Sequence, residues 1–185
     1  MMMKPLDLSA MIAAAFVMLA AGGALGQPLA PVSFAVQANL APHPAPEQPL
    51  PYSHKTHIAM GLSCQLCHTN PGPGKQMTFP VTATCMNCHA AVATDRPAIK
   101  KLAEYAKSKQ PIPWVRVYQV LPGVAWTHRK HLEAGERCET CHGAVGVLDA
   151  MAETTAVTGM ATCISCHQAR GVSAACSVCH AWPAK

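Results

Sequence analysis

The sequence predicts a mostly irregular chain with short α-helices, held together by something other than a core of its own side chains. Three observations lead there. Aromatic residues number only nine, three each of Trp, Tyr and Phe, in a chain of 185. Sixteen Pro and twelve Gly favour loops over long regular elements. All ten cysteines fall into five copies of one pattern, C-x-x-C-H.

The copies read Cys64-Gln65-Leu66-Cys67-His68, Cys85-Met86-Asn87-Cys88-His89, Cys138-Glu139-Thr140-Cys141-His142, Cys163-Ile164-Ser165-Cys166-His167 and Cys176-Ser177-Val178-Cys179-His180. This is the attachment signature of c-type haem. Two thiols about one turn apart add to the two porphyrin vinyl groups, and the histidine that follows binds the iron from the proximal side. A zinc site would need four ligands and no histidine fixed after each pair. Disulfides of the thioredoxin type would leave five adjacent histidines unexplained. The expected cofactor set is five covalently bound haem c. Residues 51–180 supply 130 positions, or 26 per haem, so the macrocycles must form much of the core. Without them the chain should be largely unfolded.

A formal charge of +5 invites a nucleic-acid partner, and the haems argue against one. Their propionates bring roughly ten carboxylates against about five ferric charges, so lysines balance propionates instead of gripping phosphates.

Along the chain, Lys4 precedes an apolar run over residues 8–26, 19 residues long, so 1–26 reads as an export signal or an N-terminal membrane anchor. The haem-bearing part is then periplasmic. Residues 27–50 form a Pro-rich, stiff spacer, as in Ala41-Pro42-His43-Pro44-Ala45-Pro46. An internal repeat follows. Ser53-His54-Lys55-Thr56-His57 ends seven residues before Cys64, and Thr127-His128-Arg129-Lys130-His131 ends seven before Cys138. Both repeats enter a second motif through Ala-Thr-Cys, and the second alone adds a third motif. The plan is a dihaem module over 51–93, a connector over 94–125 and a trihaem module over 126–185. In the connector Asp95 can cap a helix with Pro97 in its first turn and Ile99, Leu102, Ala103 and Ala106 as its apolar stripe. That helix should end near Lys109, and Trp114 to Val120 read as extended or stranded. Lys100, Lys101, Lys107 and Lys109 form a solvated face or a docking face.

Five distal ligands are needed, and five histidines lie outside the motifs: His43, His54, His57, His128 and His131. Four form two H-x-x-H pairs. At i and i+3 of a helical turn they share a face, so each pair must serve two irons and draw two haems together. The fifth position goes to Met160, to another methionine such as Met151 or Met77, to His43, or stays open. Methionine there would raise the reduction potential.

H-x-x-H followed by C-x-x-C-H, with two further motifs at Cys163 and Cys176, resembles the cytochrome c3 and c7 family. Pro46-Glu47-Gln48-Pro49, Asp95-Arg96-Pro97, Ile112-Pro113-Trp114-Val115-Arg116-Val117 and Met160 before Cys163 are similar to the pentahaem subunit of alternative complex III. The resemblance covers residues 46–180 and implies a c3/c7-like fold with haems as the core. It assigns His54 to the haem on Cys64 and Cys67, His128 to that on Cys138 and Cys141, and His131 to that on Cys176 and Cys179. His57 then serves another haem, and the haem on Cys163 and Cys166 takes methionine.

It also implies an electron conduit between an iron–sulfur or quinol-oxidising membrane subunit and another cytochrome c or a terminal oxidase, not an enzyme in itself. The alternative is a multihaem reductase of nitrite or a sulfur oxyanion. That would need one iron with an open face and acid–base groups beside it. The histidine count nearly closes every site, which favours the conduit.

Overall fold

The computed structural model describes residues 34–181, which belong to one compact unit, Val32–Lys185. The export segment and the start of the spacer lie outside the described residues. Regular structure consists of short helices: α1 (His54–Ala59), α2 (Cys64–Cys67), α3 (Thr82–His89), α4 (Pro97–Ser108), α5 (His128–Glu133), α6 (Cys138–His142), α7 (Met160–Ala169) and α8 (Cys176–Cys179), with a 3-10 turn at Val145–Val147. No strand forms among the described residues. Two isolated antiparallel bridges, Ala38 with Thr155 and Val124 with His180, are all that represents β-structure there.

Each C-x-x-C pair lies within a helix, which sets its two thiols one turn apart. The H-x-x-H pairs are helical as well, and the sequence shows why. Ser53 caps α1 by accepting from the Thr56 N–H at 3.1 Å, and Thr127 caps α5 by accepting from the Lys130 N–H at 3.3 Å.

The connector helix differs from expectation at its start. Arg96, extended and without a side-chain cap, precedes Pro97, and Asp95 is exposed. Pro97 needs no cap bond for its own nitrogen, and its fixed φ already suits the first helical turn. The end falls as read, with Lys109 in the left-handed conformation at φ 56°. Leu102 is buried against Leu50 and Ile112, with Ile99, Tyr105, Met86 and Trp114 packed around them. Ala103 faces solvent. This is the whole buried apolar core among the described residues, three side chains, which is what a chain with another source of packing should have.

Trp114 to Val120 are extended but unladdered. Their hydrogen bonds go to a side chain instead: the Gln48 amide donates to the Val115 carbonyl at 2.8 Å and accepts from its N–H at 3.0 Å. Prolines around Gln48 leave no neighbouring strand to pair with.

The two repeats brace each other. The Lys55 N–H of α1 donates to the Leu148 carbonyl at 2.9 Å, and the Ser53 hydroxyl to Asp149 at 2.9 Å. Conversely, α5 hangs on the loop after the first motif: the His128 and Arg129 N–H groups donate to the Lys75 and Gly74 carbonyls at 3.2 and 3.1 Å. Each paired-histidine helix thus rests on the segment that follows the other repeat's first haem motif.

Candidate haem-binding sites

Four motif histidines each face one histidine of an H-x-x-H helix. Ring centres are 6.4 Å apart for His54 and His68, 6.2 Å for His57 and His89, 6.3 Å for His128 and His142, and 6.4 Å for His131 and His167. Two metal–nitrogen bonds of about 2 Å, with about 1 Å from each nitrogen to its ring centre, put two axial imidazoles of one iron roughly 6 Å apart. All four pairs meet that spacing. The equivalent pairs of the two repeats also share their twist, 12° for His54 with His68 and 11° for His128 with His142.

Backbone carbonyls fix the tautomers. Nδ1 lies 2.8 Å from the Ser53 carbonyl in His57, 2.9 Å from that of Thr78 in His68, and 3.0 Å from that of Val92 in His89. It lies 3.1 Å from the Lys75 carbonyl in His128, 2.8 Å from that of Thr127 in His131, and 2.9 Å from that of Ser173 in His167. A carbonyl only accepts, so each Nδ1 carries the proton and Nε2 keeps its lone pair for a metal. Burial and neighbouring imidazoles lower the pKa of His54 and His142, the latter to about 4. Burial lowers that of His128 too, against the raising effect of its bond to Lys75. These rings stay neutral, the ligating form.

Aromatic rings hold the pairs in place. Tyr52 stacks on His57 at 4.4 Å and meets His54 edge-on at 4.9 Å; Trp126 meets His128 at 4.3 Å and His131 at 5.7 Å. Sequence reasoning missed both, although each stands two residues before its first histidine, the same offset in both repeats. Tyr118 was missed likewise. Its hydroxyl accepts from the Thr154 N–H at 2.7 Å, the Thr154 hydroxyl donates to the His142 carbonyl at 2.8 Å, and its ring lies 5.2 Å from His142.

Burial raises the thiol pKa of Cys67, Cys85, Cys138, Cys163 and Cys166, and pushes that of Cys141 up to about 11. Among the described residues no three of His, Cys, Asp and Glu converge as a bare-ion site requires. The donor set fits a flat metal complex inserted between imidazoles. Two buried nitrogens, His54 Nδ1 and Trp114 Nε1, find no protein partner, which leaves them available to a bound group.

Two expectations change. His131 faces His167, not His180, because the one-turn spacing of α5 sets His131 beside α7 once His128 has met α6. With His131 there, the reason for giving methionine to the haem on Cys163 and Cys166 disappears; Met160 itself is 68% exposed at the first position of α7. Met151 and Met77 are half-buried. His43 turns away from every motif: its ring lies 3.3 Å from Glu153, with 87% of the side chain exposed. His180 pairs through its backbone with Val124, and the Cys179 carbonyl accepts from the Ala125 N–H at 2.8 Å.

The comparisons agree with this chemistry. The model of the cytochrome c3 family matches residues 56–143. The multiheme cytochrome c subunit of menaquinone reductase from Nitratidesulfovibrio vulgaris is 37% identical over 99 residues, 52% of this chain and 46% of that protein. The chain thus matches about half the length of that relative. Motifs, ring spacings and both similarities point the same way: over these stretches the chain is similar to multihaem cytochromes c, proteins whose haem is covalently bound.

Proposed function

We propose that this chain is a pentahaem electron conduit, exported to the periplasm, that connects a quinone-linked membrane partner with soluble redox proteins. The observation that carries the reading is the set of four imidazole pairs spaced 6.2–6.4 Å apart. Haem supplies one-electron chemistry when bound. The chain's own part would be to tether it through the paired cysteines and to hold it between two histidines at four sites. Iron held between two histidines would leave no place for a substrate, which favours transfer over catalysis.

His68, His89, His142, His167 and His180 would hold the five haem irons from the side of the motifs, with His54, His57, His128 and His131 facing the first four of them. The partner class draws on the relative's name, a subunit of a menaquinone reductase. An iron–sulfur or quinol-oxidising membrane subunit on one side, and a cytochrome c or terminal oxidase on the other, fit the same wire. Its direction is set by the potentials of those partners. Among the described residues no helix is long and apolar enough to cross a membrane.

Low-temperature EPR of the oxidised protein and carbon monoxide titration of the reduced form test this. Low-spin ferric signals at the four paired sites, none of which forms a carbon monoxide adduct on reduction, are expected, with any adduct confined to the His180 site. A high-spin signal that shifts with nitrite or sulfite would instead assign the chain to catalysis.

A further inference from the structure

We infer that the attachment sites form one unbranched row that departs from sequence order: Cys85/Cys88, Cys64/Cys67, Cys138/Cys141, Cys163/Cys166, Cys176/Cys179. This rests on the five-haem reading above and adds its wiring.

Two links come from the paired-histidine helices. One turn of α1 presents His54 to His68 and His57 to His89, which makes the first two sites neighbours. One turn of α5 presents His128 to His142 and His131 to His167, which does the same for the third and fourth.

The link between repeats decides the order. A chain wired in sequence would pass from the Cys85/Cys88 site to the Cys138/Cys141 site. The contacts run elsewhere. The loop that follows His68 supplies the Lys75 carbonyl to His128 Nδ1 at 3.1 Å, and the segment that follows His142 supports α1 at Lys55 and Ser53. The first motif of each repeat therefore meets the first motif of the other.

At the far end the backbone of His180 bridges to Val124, two residues from Trp126, whose ring lies 5.7 Å from that of His131, the partner of His167. Exposure supports the two ends independently. Of the ten cysteines only Cys88 and Cys176 are exposed, one in each terminal site of the row, and the other eight are half-buried. Partners then meet the sites second and last in sequence, not the first.

Mass spectrometry of the holoprotein comes first: fewer than five haem additions would overturn the five-haem reading and this row together. A redox titration with the five haems resolved by NMR then reads the order. His128→Met raises the potential of the His142 site, which is therefore reduced first. Its neighbours titrate beside one charge fewer, and their midpoints fall, most at short range. Downward shifts are expected at the His68 and His167 sites and none at the His89 site. A shift at the His89 site without one at the His68 site would overturn the order while leaving the conduit intact. His54→Met is the second variant, expected to shift both the His89 and the His142 sites; a shift at the His89 site alone refutes the row. Pairwise interaction potentials from the wild-type titration decide the same question without any substitution.

Discussion

At the scale of single residues, the site is a set of imidazoles held neutral and aimed. His142 is the extreme case, with burial holding its pKa at about 4 against an ordinary 6.5. As pH falls below about 6.5 the unfolded chain takes up a proton that the folded one refuses. The folded state therefore loses stability as pH falls below about 6.5, and iron ligation, which lowers the folded pKa further, would carry that loss below pH 4. An acid titration of the holoprotein should show the Soret band and the unfolding midpoint declining together from about pH 6.5 downward. A second expectation concerns the caps. Ser53→Ala and Thr127→Ala each remove one side-chain acceptor from a helix of only six residues. Each should cost about 1 kcal/mol in denaturant unfolding, with Ser53→Ala the larger because its hydroxyl also donates to Asp149.

At the scale of elements, the short helices matter less than what supports them. Gly74 is buried at φ 85°, and a Cβ there would lie 2.6 Å from the Arg129 Cβ of α5. Gly61 has a similar φ of 83° and open space around it. Gly61→Ala should cost only the left-handed backbone, about 1 kcal/mol. Gly74→Ala adds overpacking of about 1–3 kcal/mol and should displace His128, so its low-spin signal at the His142 site should weaken where that of Gly61→Ala does not. The motifs and the paired histidines were legible in the sequence because covalent attachment and ligation demand fixed residues at fixed spacings. The partner of His131 was not. Which iron a one-turn neighbour reaches depends on where α7 lies, and that is set by loops whose composition carries no such demand. Asp95 misled for a related reason: a good capping residue stood one position too early, and Pro97 fixed the helix start by itself.

At the scale of the whole chain, three buried apolar side chains among the described residues cannot hold a fold of this size without the cofactors. Protein made without haem attachment should lack cooperative unfolding by circular dichroism. Removing sites singly should grade the loss. Cys138→Ala with Cys141→Ala empties a site in the middle of the row and should lower stability more than Cys176→Ala with Cys179→Ala, which empties an end. The crossed support of α1 and α5 has one more consequence. A protease that cuts the exposed stretch at Lys109 and Gln110 would divide the polypeptide without parting it, for each fragment would still be gripping the other. Neither half could be expressed alone and expected to assemble, because each carries the footing of the other's paired-histidine helix.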